Sequence, residues 1–388
     1  MATFQGVERN KRELLMTINP LQRIKALGQS VWLDYIQRDI LENGEVARMI
    51  EKDGLAGMTS NPTIFEKAIN EHDDYDKAIS KLTRQGISAM EIYENLTYED
   101  VRHAADLFRP VYDESNGRDG FVSLEVSPHL AYDTEQTIAE AQRLWTELDR
   151  PNVMIKVPAT PEGLPAITQL IAAGVNINVT LLFGLERYRQ VADAFLAGLE
   201  VRAAKGRPLD HIASVASFFL SRIDVLVDER LDELTKTSVG ESASTLRGQT
   251  AVACARLAYQ HYQNWVEGSR WQALSKLGAQ TQRLLWASTG TKDPTYSDIK
   301  YVEALIGGET VNTMPPQTLA AYRDHGHSAL RIEQELDEAR SLQGKLSEFG
   351  IHLDAVSEQL EAEGVQKFIA PYDKLLERLD QRRSEFAW

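Results

Sequence analysis

The segment NVMIKVPAT, residues 152–160, sets Lys156 between Met154–Ile155 and Val157–Pro158 in an apolar run that reads as a β-strand. A lysine in such a run either extends its ammonium to water along an apolar stem or is held away from water. A desolvated lysine titrates closer to neutrality, and a neutral amine attacks a carbonyl carbon to form a Schiff base. The segment alone leaves both alternatives open.

Neighbouring segments add polar or small groups two residues apart, the spacing that places side chains on one face of a strand. Thr59 and Asn61, Ser123 and Glu125, Asn176 with Asn178 and Thr180, and Ser217 with Phe219 all follow it, and Asp34 sits near the C-terminal end of the segment SVWLDY. Burying such a set is costly unless its members satisfy one another or a substrate. Each also has a plain structural role open to it. Asn61, before Pro62, can be a turn or helix-capping residue, and Asp34 can cap a helix. Glu125 can form a buried ion pair with Lys156, and Asn178 and Thr180 can bond to neighbouring strands. Taken together, two carboxylates and one lysine suit carbonyl chemistry with proton transfer, in which one carboxylate removes a hydroxyl proton while the other moves protons during imine formation.

For anion binding the candidates are Arg222, after SFFLS, and Ser288 and Lys292 in ASTGTKDP. Each cation can equally be a surface ion-pair member. The chain lacks GxGxxG and GxxxxGK[ST], so it offers no nucleotide-phosphate fingerprint. Its eight histidines include no HExxH, and HGH at 325–327 lies past the last strand-like segment, so no metal is expected.

The elements that must position these residues are eight short apolar segments separated by helical periodicity: 30–35, 54–60, 120–126, 152–158, 175–183, 211–219, 283–289 and 309–315. Eight β-then-α units are what a closed parallel barrel requires, so the fold class expected is α/β, a TIM-type (β/α)8 barrel. Helices are expected at 43–52, 135–148, 162–173, 186–204, 222–234 and 297–306. An N-terminal helical segment and helix-rich insertions at about 61–119 and 222–282 extend this barrel over residues 1–327. Residues 328–388 read as two or three amphipathic helices, a C-terminal extension packed on the barrel wall or serving a partner.

The 388 residues include 42 Lys+Arg against 57 Asp+Glu, a net charge of −15, with 43% hydrophobic and 26% charged residues. That charge argues against nucleic acid or an anionic membrane as partner, since both need a basic face. No apolar run of 18 residues occurs, and the N-terminus lacks the apolar core of a signal peptide. One cysteine, Cys254, rules out a disulfide framework, so the expected compartment is the cytoplasm.

Five motifs in this order, GMTSNPTIFEKAI (57–69), SLEVSP (123–128), MIKVPAT (154–160), NINVTLLF (176–183) and SFFLSRID (217–224), resemble those of the transaldolases, in their longer form with an extended C-terminus, within the class I aldolases. The resemblance spans all eight strand segments. It implies that Lys156 forms a Schiff base with a ketose phosphate, that Asp34 is the acid/base at the bond that breaks, and that Glu125 acts with Thr180 through a water. It further implies that Asn61 and Asn178 hold donor hydroxyls, that Thr59, Ser123, Ser217 and Phe219 shape the site, and that Arg222 binds phosphate. Shorter members carry a second phosphate-binding Arg after a Ser in the seventh loop. Here Ser288 is followed by TGTK, and Lys292 stands in as a point charge rather than a fork.

The implied reaction is reversible transfer of a dihydroxyacetone unit from sedoheptulose 7-phosphate to glyceraldehyde 3-phosphate, with sugar phosphates as ligands and no cofactor. The competing enzymatic reading is a class I fructose-6-phosphate aldolase, and Glu125 favours transfer because an aldolase using a Tyr relay is expected to lack it. A non-catalytic barrel whose tail serves assembly is the reading from a different class. Sequence leaves monomer and homodimer both open, and the tail is too short for a second catalytic domain.

Overall fold

The computed structural model describes residues 19–234 and 240–386. Most of the expected N-terminal segment therefore lies outside the described residues, as does 235–239 within the insertion at 222–282. Eight strands, β1 (Gln29–Asp34), β2 (Gly57–Thr59), β3 (Phe121–Glu125), β4 (Val153–Pro158), β5 (Ile177–Leu182), β6 (Ser214–Phe219), β7 (Arg283–Ala287) and β8 (Thr310–Met314), pair in sequence order into a closed barrel. Every pairing, including β8 with β1, is parallel. This is the (β/α)8 fold expected from the eight apolar segments.

Helices α1 (Pro20–Ala26), α2 (Arg38–Glu42) and α3 (Glu45–Asp53) precede β2. Between β2 and β3 run α4 (Pro62–Glu71), α5 (Asp76–Arg84) and α6 (Ala89–Glu114). Single helices α7 (Thr134–Leu148), α8 (Gly163–Ala173) and α9 (Leu185–Ala204) join β3 through β6. Next, α10 (Ser221–Leu234), α11 (Gly240–Ser244), α12 (Thr250–Glu267) and α13 (Ser269–Ser275) lead to β7, and α14 (Lys300–Glu303) leads to β8. Finally α15 (Pro316–His325), α16 (Leu336–Glu348) and α17 (Leu353–Phe386) follow the barrel.

Local chemistry explains several boundaries. Asn61 accepts from the Ile64 N–H and Pro62 occupies the first turn, so α4 starts at once after β2. Ser88 and Glu91 form a reciprocal capping box at the start of α6. The helix expected over 297–306 is shorter: only Lys300–Glu303 is α-helical, and Lys300 to Ser297, Val302 to Ile299 and Leu305 to Val302 close tighter i→i−3 turns. Likewise, of the segment 54–60 only Gly57–Thr59 enters the ladder.

The lower lumen is filled. Trp32 is fully buried, and a Cβ on Gly57 would lie 2.6 Å from its ring, so only glycine fits opposite it. Beneath, the Arg283 guanidinium donates to Asp119 at 2.9 Å and to Ser30 Oγ at 2.8 Å, and the Trp32 indole donates to Asp119 at 3.1 Å. These groups satisfy one another at the N-terminal end of the strands, and a cavity of about 380 Å³ lies at the C-terminal end.

That end is crossed by α17. Val356, Leu360, Val365, Phe368, Tyr372, Leu375 and Leu379 are buried along it at intervals of three to five residues, an amphipathic stripe. The stripe packs on α4, α5, α6, α10 and β5. Arg187 pairs with Glu361 at 3.0 Å, and Lys374 pairs with Glu66 at 2.7 Å. Hydrophobic packing runs without a break from Leu21 through the barrel to Leu379.

Candidate active site

Parallel register aligns the candidate residues before any side chain is considered. Asp34 pairs with Thr59, Glu125 with Lys156, Lys156 with Asn178, and Pro158 with Thr180. The polar groups two apart on separate strands therefore meet around one ring at the mouth of the lumen.

Lys156 Nζ is buried, 3.0 Å from the Ser60 carbonyl oxygen and 3.4 Å from Glu125 Oε2. Both chain segments that hold it are rigid, since Ser60 follows β2 and Ser60 Oγ itself donates to the Ser123 carbonyl at 2.7 Å. Burial pushes the Glu125 carboxyl above its ordinary range, against the opposing pull of Lys156. Asp34 is raised in the same way by burial, opposed by the hydrogen bond from Thr59 and by Lys156, Lys292 and Arg222.

Thr59 Oγ1 donates to Asp34 Oδ1 at 2.7 Å and lies 2.7 Å from Thr313 Oγ1. A hydroxyl has one proton, so with Asp34 ionised Thr313 must donate to Thr59. On the opposite wall, Ser217 donates to Asn178 Oδ1 at 2.6 Å while the Asn178 amide donates to Ser123 Oγ at 3.0 Å. These two serines fix which end of the amide faces which neighbour. Thr180 Oγ1 is buried with no protein partner among the described residues, and so is Arg222 Nη1. Unpartnered buried polar atoms of this kind await a ligand or water.

Two backbone features sharpen the mouth. Leu181 takes φ 62° where the β5–β6 register shifts, and Ser288 takes φ 55° after β7. Left-handed conformation is uncommon for residues other than glycine and clusters at functional sites. Ser288 is held there by a Ser221 Oγ contact of 2.8 Å and a Ser221 N–H bond to its carbonyl at 3.1 Å. Ser221 opens α10, so Arg222 and Ser288 are tied to one corner.

A cavity of about 380 Å³ opens on this arrangement and is lined by Asp34, Thr59, Asn61, Lys156, Thr180, Ser217, Phe219, Arg222, Ser288 and Lys292. Ser123, Glu125 and Asn178 lie behind that lining, in contact with it through the hydrogen bonds above. The thirteen site candidates thus share one site, whereas Asn176, grouped with Asn178 and Thr180 by spacing, lies before β5, where its amide donates to the Pro151 carbonyl at 2.9 Å and its Oδ1 accepts from the Ala213 N–H. Asn61 both caps α4 and lines the cavity. Asp34 caps nothing, because the residue before α2 is Gln37. Lys292 has no ion-pair partner among the described residues, and it also borders a second cavity of about 280 Å³ lined by Asp224, Asp228, Asp232 and Arg247.

Sequence reasoning missed Tyr35, Thr63, Ile64, Lys67, Ala287, Thr313, Pro315, Pro316, Gln317 and Phe368. Thr313 stands next to last in β8, and the strand-end rule that singled out Asp34 applies to it equally. Phe368, from α17, carried no local signal. Its ring centre lies 5.7 Å from Lys156 Nζ. Among the described residues no group of three or more His, Cys, Asp or Glu is placed to hold a metal ion. Nor is any described helix long and apolar enough to cross a membrane.

Chemically, the cavity offers a buried amine beside one raised carboxyl, a second raised carboxyl at the end of β1, and Arg222 and Lys292, which have no ion-pair partner among the described residues. The model of the family described as transaldolase/fructose-6-phosphate aldolase matches residues 31–379. A protein named transaldolase from Trichodesmium erythraeum (strain IMS101) is 48% identical over 95% of this chain and 98% of its own length. Another of that name, from Thermobifida fusca (strain YX), is 50% identical over 94% of this chain and 98% of its own, and transaldolase 2 of Nostoc sp. (strain PCC 7120 / SAG 25.82 / UTEX 2576) is 47% identical with coverages of 94% and 98%. A match across all eight strands and the tail, at such identity, means that the chain belongs to the transaldolase/fructose-6-phosphate aldolase family.

Proposed function

We propose that this site carries out the transaldolase reaction, moving a dihydroxyacetone unit from sedoheptulose 7-phosphate to glyceraldehyde 3-phosphate to give erythrose 4-phosphate and fructose 6-phosphate, in the non-oxidative pentose phosphate pathway. The Lys156 amine adds to the ketose C2 carbonyl, and loss of water from the carbinolamine leaves a cationic imine. Glu125, 3.4 Å from that nitrogen, moves the protons of this step with Thr180 and a water. Asp34 takes the C4 hydroxyl proton as the C3–C4 bond breaks, and the imine nitrogen accepts the electron pair, leaving an enamine. The aldose departs, the acceptor aldehyde enters, and the enamine carbon attacks it while Asp34 returns the proton. Water then releases the new ketose. The protein nitrogen is the electron sink throughout, so the steps need no cofactor.

The observation that carries this reading is the buried Lys156 Nζ, held at 3.0 Å by the Ser60 carbonyl and opening on a cavity that it shares with Asp34. Arg222 and Lys292 at the rim suit the substrate phosphate, and Asn61, Asn178, Thr59, Ser123, Ser217, Phe219 and Ser288 orient the chain of hydroxyls between. A chain with one cysteine suits the reducing cytoplasm, where we place the reaction. The test supplies fructose 6-phosphate with and without erythrose 4-phosphate and follows sedoheptulose 7-phosphate. Acceptor-dependent product supports transfer, whereas dihydroxyacetone released without acceptor contradicts it.

A further inference from the structure

Arg222, second residue of α10, lines the cavity wall, and no carboxylate pairs with it among the described residues. Two aromatic rings take that place: the centre of Phe219 is 5.5 Å and that of Phe368 is 5.8 Å from the guanidinium carbon. The difference matters for anion binding. A carboxylate would occupy the fork of N–H donors along the edge of the guanidinium, whereas a ring engages the cation through its π-face and leaves those donors free. Arg222 Nη1 is indeed buried with no partner among the described residues.

The two rings have different origins. Phe219 ends β6, three residues before Arg222, so the barrel fixes it. Phe368 comes from α17, the far end of the chain, and is 3% exposed. Its helix is fastened on either side of the site by the Arg187–Glu361 pair at 3.0 Å and the Lys374–Glu66 pair at 2.7 Å. The ring is thus held over the cavity rather than swept through it.

We propose that Phe368 is a positioning residue for phosphate selectivity: with Phe219 it holds the Arg222 fork in place without consuming its donors, so the C-terminal helix is part of the specificity apparatus. The inference rests on the transaldolase reading. It separates the two ends of the substrate, because Phe368 acts on the phosphate end through Arg222, and its proximity to Lys156 affects phosphorylated and unphosphorylated substrates alike. A ratio of the two therefore isolates the effect at Arg222.

The experiment uses full-length Phe368→Leu and Phe368→Met, which retain apolar volume without a ring, and Phe368→Tyr, which retains the ring. For each, kcat and KM are measured with fructose 6-phosphate and with fructose as donor, together with competitive inhibition by inorganic phosphate. The expected result is a loss of about 3- to 25-fold in the preference for fructose 6-phosphate in the Leu and Met variants, the range a cation–π contact supports. That loss appears in KM and in weaker phosphate inhibition, with recovery in the Tyr variant. Equal losses on both donors, or an unchanged preference in variants that melt like the wild type, would overturn it. A wild-type protein with no preference for the phosphorylated donor, or with no covalent adduct on Lys156, would instead overturn the reading on which it rests.

Discussion

Glu125 Oε2 lies 3.4 Å from Lys156 Nζ, and the two residues stand opposite each other in the β3–β4 register. Such a contact suits either a buried ion pair that holds the barrel or a proton relay, and the two differ in what removal does. In the relay account Glu125→Gln keeps the shape and loses the transferable proton. Imine formation, followed by single-turnover trapping, is expected to slow by about 10²- to 10⁴-fold with little change in melting temperature. A structural pair would show the reverse pattern, unfolding at lower temperature with near-normal trapping.

Asp34 supplies the pH test. Burial raises its carboxyl above the ordinary value of 3.8, so the folded protein binds that proton more tightly than the unfolded chain does. Its ionisation therefore costs stability, a cost absent below the ordinary value and growing as pH climbs to the raised one. Asp34→Asn is expected to melt at higher temperature than the wild type at neutral pH and at the same temperature in acid, while kcat falls by about 10²- to 10⁴-fold. A variant less stable at neutral pH would show that the Asp34 charge is structural.

The Ser217–Asn178–Ser123 chain predicts coupled losses. Ser217→Ala frees Asn178 Oδ1, and Ser123→Ala frees the amide N–H₂, so either change lets the amide turn. Each is expected to lower kcat/KM about 5- to 10-fold, the worth of one buried hydrogen bond. Because both act on one side chain, the double variant should lose much less than the product of the two. Fully multiplicative losses would mean that the serines act separately.

Gly57 is a packing test apart from the chemistry. The Trp32 ring 2.6 Å from the position of an added Cβ is fully buried and pinned by its bond to Asp119 at 3.1 Å, so it has little room to yield. Gly57→Ala is expected to cost about 1–3 kcal/mol in chemical denaturation. Wild-type stability would mean that the lumen is looser than this contact indicates.

Much of the site was legible because a strand presents alternate residues to one face, so Ser123 with Glu125 and Asn178 with Thr180 declared themselves by spacing. The barrel was legible for a related reason, since each strand had to be apolar, short and followed by a helix. Phe368 was not legible. Its neighbours Val365, Tyr372 and Leu375 repeat at helical spacing, and nothing in that pattern separates a residue packed on a barrel wall from one set over a cavity. Nor does sequence carry a mark for the left-handed turn at Leu181, where a β-branch-free but otherwise ordinary residue is held by tertiary structure. The truncated helix at Lys300–Glu303 failed for a third reason, because periodicity does not distinguish i→i−4 from i→i−3 closure over a single turn.

Borohydride reduction in the presence of fructose 6-phosphate, followed by peptide mass spectrometry, tests the central claim most directly. The account predicts a reduced three-carbon adduct on Lys156, carried by the wild type and absent from Lys156→Ala, whose turnover should fall by roughly 10⁴-fold or more. Adduct on another lysine, or turnover surviving in Lys156→Ala, would contradict it.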